Sequence, residues 1–325
     1  MSSEIEKYGL QPTEVYRSYW EFAAKRQAMH RARRAQTNSP ATEDPILLNY
    51  RFTNSYRVLD RVSQYLISDV QRYNGSEYSE ADAVFRTLLF KIFNRIDTWE
   101  LLNAELDQPR ANSFDFEAAS RVLAARMKSK SPIYSAAYIM PSPNLGFDRK
   151  HDNHLRLLQN LVSDGGTDVL LTCKTLEDLY RVLKELPGLG PFLAFQFATD
   201  LGYSSHFAVS ETDFVVAGPG ARDGIAKCFT NWRDYTPEHI IMLVYKVQEA
   251  EFAARKIRFD GLGGRLLQPI DCQNLFCEVS KYARIAHPSI QGVDGRIRIK
   301  QRYTPRSVQL PDPVFPTHWN VKNYA

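Results

Sequence analysis

The chain of 325 residues is 44% hydrophobic and carries a net charge of +4, enough apolar material for a real core and too little overall charge to mark a nucleic-acid binder by itself. No apolar run approaches the roughly eighteen residues of a membrane span, and the N-terminus has no signal-peptide apolar stretch, so a cytoplasmic protein without membrane partners is expected. Four scattered cysteines, Cys173, Cys228, Cys272 and Cys277, fit reduced core thiols better than a disulfide framework.

In chain order, Thr13 to Arg34 reads as an amphipathic helix. Tyr16, Tyr19, Trp20, Phe22 and Ala23 lie on it, and its basic end (Lys25, Arg26, Arg31, Arg33, Arg34) suits the helix dipole. A Thr-, Ser-, Asn- and Pro-rich linker follows from Gln36 to Pro45, which sets 1–45 apart as a helix-and-linker segment. Between Tyr50 and Ile67, apolar residues at 58, 59, 62, 65 and 66 make one helical face, while Asn54, Arg57, Asp60, Arg61 and Gln64 recur on another. That polar stripe reads equally as surface salt-bridging or as the lining of a base pocket, since Asn and Gln read base edges and Arg binds phosphate or carbonyl oxygens. Glu80 to Trp99 is apolar nearly all round and is expected as a core helix, interrupted by Asn94 and Arg95, which need partners if buried. Further helices are expected over Phe114 to Lys128 and around Asp152 to Leu161, with a Pro-rich irregular stretch from Ile139 to Pro143 between them. The pattern predicts an all-α fold.

Thr175 caps a helix with apolar positions 176, 179, 182, 183 and 186, and a second, buried helix runs from Phe192 to Leu201 and stops at Gly202. Between them, Leu186-Pro187-Gly188-Leu189-Gly190-Pro191 reads as a tight hairpin, with Pro191 suited to a first helical turn. A helix opening of this kind turns backbone N–H groups toward an anion such as a phosphate. Two acids follow in Ser210-Glu211-Thr212-Asp213-Phe214-Val215-Val216; Asp213, 23 residues beyond Gly190 (213 − 190), precedes what reads as a buried segment. Gly218, Gly220 and Arg222 form either a phosphate cradle or a turn closing a helix begun at Asp213. Because no Gly-x4-Gly-Lys-Ser/Thr run occurs, nucleotide kinase activity is not expected. From Lys281 to Arg306, seven basic residues (281, 284, 296, 298, 300, 302, 306) face one acid, Asp294, a strip that suits a DNA backbone or a solvated end. Residues 307–325 are expected as an irregular tail, leaving 46–306 as the main helical domain.

The hairpin, the apolar helix after it and the acid beyond resemble the helix-hairpin-helix DNA glycosylases, whose Leu-Pro-Gly-hydrophobic-Gly hairpin grips the DNA backbone. A narrower resemblance is carried by Phe52-Thr53-Asn54-x-Tyr56-Arg57-x-x-Asp60-Arg61-x-Ser63-Gln64-Tyr65, by Phe90-Lys91-Ile92-Phe93-Asn94 with Thr98-Trp99, and by Ala217-Gly218-Pro219-Gly220-Ala221. These are similar to the phage-associated family named for α-glutamyl/putrescinyl-thymine pyrophosphorylases and the helical domain paired with hydroxymethyl-deoxyuridine DNA kinases, and to antiphage DNA glycosylases of related build. The resemblance implies a two-lobed helical glycosylase-like fold and a partner in modified phage DNA.

On that basis the expected function is excision of a hypermodified pyrimidine, such as glucosylated hydroxymethylcytosine, from phage DNA in antiviral defence. The target base is flipped out and Asp213, or Glu211, stabilises the developing sugar cation and directs a water. Asn54, Arg57, Arg61, Gln64 and Asn94 are the base-pocket candidates; Gly188, Leu189, Gly190, Gly218, Gly220 and Arg222 are the DNA-binding ones. The lysine of bifunctional relatives is replaced by Phe192, so a monofunctional, monomeric enzyme without metal or cofactor is expected. Two alternatives stand beside it. One is a transferase in which an amine displaces pyrophosphate from activated hydroxymethyluracil, using Arg57, Arg61 and Arg222 for the pyrophosphate; the other is a non-catalytic binder of modified DNA.

Overall fold

The structure, a computed structural model, describes residues 3–36, 42–73, 76–304, 310–321 and 324. Its helices, in chain order, are α1 (Glu14–Arg34), α2 (Pro45–Asn49), α3 (Arg61–Tyr65), α4 (Glu80–Phe93), α5 (Ile96–Glu105), α6 (Phe116–Lys128), α7 (Lys150–Ser163), α8 (Gly166–Thr172), α9 (Leu176–Lys184), α10 (Pro191–Leu201), α11 (Pro219–Cys228), α12 (Pro237–Ala254) and α13 (Pro269–Ala286). With only a two-residue antiparallel ladder, Arg72–Tyr73 against Ser76–Glu77, the described fold is all-α. No helix among the described residues is long and apolar enough to cross a membrane.

The chain forms two compact units. The first comprises Met1–Asp60, Glu211–Pro313 and Val321–Ala325; the second comprises Arg61–Ser210 and Val314–Asn320. The chain leaves the first unit after Asp60 and returns to it at Glu211.

In the first unit, Thr13 caps α1 by accepting the Val15 N–H at 3.2 Å. The aromatic face of α1 is fully buried, with Tyr16, Tyr19 and Trp20 ring centroids 4.8, 4.7 and 4.8 Å from those of Phe229, Phe276 and Phe252. Helices α11 and α13 cross closely because α11 carries glycine at 220 and 224. A Cβ at Gly224 would overlap the Phe276 carbonyl, and one at Gly220 would overlap Cys277 Sγ. This crossing buries Asp223 and Lys227, which pair at 2.9 Å.

In the second unit, α4 is buried on nearly every side. It ends at Asn94, whose left-handed φ of +48° closes the helix, and α5 restarts two residues later, so the single helix expected from Glu80 to Trp99 is two. Helix α9 opens with a capping box between Thr175 and Asp178, and α10 begins at Pro191. Between them, Leu186 and Leu189 pack with Leu88, Ile92, Met140, Leu157, Leu158, Leu161 and Phe197. Gly188 has a φ of +87°, and a Cβ there would stand 3.2 Å from the Pro141 carbonyl. Lys91 and Asp200, both buried, pair at 3.0 Å in this core.

The continuous helix expected between residues 50 and 67 is not formed. A 3₁₀ turn (Arg57–Leu59), α3 and a π turn (Leu66–Val70) take its place. The cause is side-chain competition for the backbone: Asp271 Oδ1 accepts the Arg57 N–H at 2.7 Å and Asp60 Oδ1 accepts the Asn54 N–H at 2.9 Å, which holds Asp60 extended at φ −69° and ψ 141°.

Candidate functional site

Asp213 lies on an open cavity of about 460 Å³ in the first unit, lined by Thr212, Asp213, His239, Met242, Leu243, Tyr245 and Lys246. Spacing of three, four and seven residues places His239, Met242, Leu243 and Lys246 on one face of α12. Asp213 is exposed, and its Oδ1 accepts the Thr212 hydroxyl at 2.9 Å. It does not open a helix: residues 211–218 are irregular, and the next helix starts at Pro219. His239 stacks on Tyr235 with ring planes 3° apart, and Lys246 Nζ sits 5.5 Å from the Tyr8 ring centroid. A carboxylate, an imidazole and an ammonium around an apolar floor form a set able to move a proton and to hold an anionic group.

Glu211 is built differently. It is 6% exposed and accepts Arg265 Nη2 at 2.6 Å, so it is committed to an ion pair while Asp213 faces the cavity. Asp271, also buried, accepts the N–H groups of Arg57 and Gln268 at 2.7 and 2.9 Å; burial and then the charge of Glu211 push its carboxyl up to about 7. Tyr56 donates its hydroxyl to the Arg265 carbonyl at 2.7 Å, which ties the 3₁₀ turn region to the same network.

The base-pocket candidates fall in different units. Asn54 is spent within the first: its Oδ1 accepts Arg26 Nη2 at 3.0 Å and its Nδ2 donates to the Leu59 carbonyl at 2.8 Å. Arg57 is 2% exposed. Asp60 beside them is pushed up to about 6, chiefly by burial. In the second unit, Arg61 is exposed, and Gln64 exchanges two hydrogen bonds with the Val314 backbone at 3.1 and 2.8 Å. Asn94 caps α4 and accepts Lys91 Nζ at 2.9 Å. The single helical stripe expected from Asn54 to Gln64 is not formed, because the chain is extended at Asp60.

The hairpin candidates also separate. Gly190, the N-cap of α10, is exposed and has open space around the position of a Cβ, whereas Leu189 is 4% exposed and belongs to the core. Neither expectation for Gly218, Gly220 and Arg222 holds as written. Gly218 is the buried N-cap of α11 and Gly220 is the contact with Cys277, so these residues open a helix and admit its neighbour. Arg222 donates to the Ala217 carbonyl at 3.2 Å and to Glu238 at 3.2 Å.

In the basic strip, Lys281 pairs with Glu278 at 2.9 Å, Arg284 with Asp294 at 3.2 Å, and the Arg302 guanidinium lies 4.5 Å from the Tyr50 ring centroid. Arg298 and Lys300 are exposed, and Arg306 lies outside the described residues. The cysteines are free thiols; burial pushes Cys277 up to about 12, and His287 hydrogen-bonds Ser18 at 2.8 Å.

Sequence reasoning missed the α12 face of the cavity, where His239 and Lys246 share a helical stripe with Met242, and it missed the two buried Lys–Asp pairs. The spacing of Asp223 and Lys227 by four was the available signal for one of them.

A family model described as "5-hmdU DNA kinase, helical domain" matches residues 13–292. The chain is 26% identical over 266 residues to a protein named 5-hmdU DNA kinase from Bacillus phage SP10, an alignment covering 75% of this chain and 41% of that protein. The chain thus spans less than half the length of this relative. No solved structure matches. These findings correct the expected excision of a modified base in antiviral defence: the matched proteins are named for a kinase, which transfers a group, and not for a hydrolytic glycosylase. A local likeness in backbone pattern does not determine which chemistry a chain performs.

Proposed function

We propose a function from one premise: the chain belongs to the family of 5-hmdU DNA kinase helical domains, through residues 13–292. It binds DNA carrying 5-hmdU, the nucleoside of 5-hydroxymethyluracil, and takes part in group transfer at that base's hydroxymethyl group. The observation that carries the reading is the family match, whose description names both the base and the polymer. The cavity of Asp213, His239 and Lys246 supports it, because it sets a proton acceptor beside an ammonium and an imidazole on a floor of Met242, Leu243 and Tyr245 suited to a base.

In phosphoryl transfer, the hydroxymethyl oxygen forms a bond to the phosphorus of a nucleoside triphosphate. The bond to the leaving diphosphate breaks, and Asp213 takes the hydroxyl proton. A target base must leave the helix to reach such a cavity. In the second unit taken by itself, the exposed Gly190 end of α10 is our candidate for a phosphate contact. A second reading is favoured by the lack of any Gly-x4-Gly-Lys-Ser/Thr run in the sequence. In it an amine attacks the methylene carbon of an already pyrophosphorylated base, the carbon–oxygen bond breaks to release pyrophosphate, and Asp213 takes the proton of the attacking amine.

Nucleoside mass spectrometry separates these outcomes after incubation with 5-hmdU, 5-hydroxymethyl-deoxycytidine or thymidine DNA. A phosphoryl gain with ATP on 5-hmdU supports the first reading. Exchange of pyrophosphate for an amine on the pyrophosphorylated base supports the second. No mass change, together with equal affinity for all three DNAs, overturns both.

A further inference from the structure

The turn at 292–296 in the first unit is held by buried charge. Asp223 is fully buried, and besides Lys227 at 2.9 Å and the Ser280 hydroxyl it accepts the backbone N–H of Asp294 at 2.9 Å. Gly292 lies so close that a Cβ there would overlap Asp223 Oδ1, which restricts the position to glycine. Asp294 closes the turn by accepting the Arg296 N–H at 2.8 Å and Arg284 Nη2 at 3.2 Å, and Gly295 supplies the left-handed φ of +63°. Arg284 also donates to the Arg298 carbonyl at 3.2 Å, and Ile299 is 9% exposed. The backbone is therefore pinned from 292 to 299 by groups inside the unit.

What this pinned backbone presents is Ile297. At 71% exposure it is the most exposed large hydrophobic side chain among the described residues, and Val293 before the turn is 51% exposed. Arg296, Arg298 and Lys300 are exposed around it, and Arg298 and Lys300 have no side-chain partner among the described residues. Arg296 meets only Asp294, at 3.7 Å. Folding gives no reason to hold an isoleucine in water between cations on a backbone fixed by a buried aspartate. An apolar side chain flanked by arginines is the chemistry of insertion between stacked bases, with the cations on the adjacent phosphates.

We propose that residues 296–300 are a DNA wedge: Ile297 enters the base stack at or beside the target nucleotide, while Arg296, Arg298 and Lys300 hold the flanking phosphates. The proposal rests on the reading that the chain handles DNA, and it adds the element that opens the stack. Its partner is duplex DNA.

The test uses the full chain and a 5-hmdU duplex with 2-aminopurine next to the target, whose fluorescence rises on unstacking. Ile297→Ala is expected to abolish the rise and weaken binding by roughly tenfold without changing the salt dependence or the melting temperature. Arg298→Ala with Lys300→Ala is expected to lower the slope of log affinity against log salt by about 1.8, two phosphate contacts. A wild-type chain that unstacks the probe while Ile297→Ala does so equally overturns the wedge and leaves the DNA reading standing. A wild-type chain that binds no DNA overturns both. Binding to anionic vesicles that depends on Ile297, with DNA binding independent of it, assigns the segment to a membrane surface and also overturns the wedge.

Discussion

Helices α10 and α11 open with the same local code and are used in opposite ways. Both have glycine at the N-cap and proline at the first helical position, with N-cap dihedrals of −70° and 170° at Gly190 and −74° and 167° at Gly218. Both also carry a buried aspartate paired with a buried lysine, Asp200 with Lys91 and Asp223 with Lys227. At α10 the glycine end is exposed with open space around it, whereas at α11 it is buried and the following glycines are filled by α13. A Gly-Pro opening therefore specifies a helix start. Whether its end is offered to a ligand or consumed in packing is decided by what the rest of the unit places there.

The largest effect that sharpens this comparison is in the paired charges. Lys91→Met and Lys227→Met each leave an aspartate buried without its main counter-charge, and each is expected to cost about 3–5 kcal/mol in denaturant unfolding. Replacing the aspartate as well, as in Lys91→Met with Asp200→Leu, is expected to recover most of the loss. A cost below about 1 kcal/mol for either single change would show that the pairs are not the anchors they resemble.

Next come the glycines. Alanine in place of an interior helical glycine normally stabilises by up to about 1 kcal/mol, but Gly224→Ala drives a methyl into the Phe276 carbonyl and is expected to cost about 2–3 kcal/mol. Gly190→Asp meets open space and places an N-cap acceptor on α10, so stability should rise by a few tenths to about 1 kcal/mol. If that end holds a phosphate, DNA affinity falls at the same time, by roughly tenfold, because two negative charges then face each other. Unchanged affinity for the Gly190→Asp chain would remove α10 from the DNA surface.

The smallest effect is a titration. His154 is buried beside the hairpin's packing partner; its Nε2 donates to the Pro141 carbonyl at 2.9 Å and its Nδ1 accepts the Tyr134 hydroxyl at 2.8 Å. Burial lowers it to about 4, below the ordinary 6.5, so the stability it contributes is fully present above pH 6.5 and is lost as the pH falls through about 4. Imidazole nitrogen NMR at pH 5.5 should show the neutral ring with its proton on Nε2. A doubly protonated ring at that pH contradicts the assignment.

The sequence makes local structure legible where the signal lies within a few residues. The Thr175 cap, the turn from Leu186 to Pro191 and the end of α10 at Gly202 are all formed as their residues dictate. It fails where a distant group intervenes. The 50–67 helix is broken by a carboxylate 214 positions away from Arg57, and the Gly218–Gly220 stretch looks like a cradle until Cys277 is seen against it. The site follows the same division: Asp213 was visible as an acid beyond the hairpin, but the α12 face opposite it and the commitment of Glu211 to Arg265 depend on packing. The chemistry was the least legible part, because a turn between two helices says nothing about which bond is made or broken.

The central claim is that this chain serves group transfer at the hydroxymethyl group of 5-hmdU in DNA, with Asp213 as proton acceptor. Mass spectrometry of nucleosides from 5-hmdU DNA treated with wild-type chain and with Asp213→Asn tests it most directly. The account predicts a modified 5-hmdU nucleoside with the wild type, lost by about a hundredfold or more with Asp213→Asn, while DNA binding is kept. Full modification by Asp213→Asn contradicts the role of the acid, and an unmodified nucleoside with the wild type, given both ATP and the pyrophosphorylated base with an amine, contradicts the transfer itself.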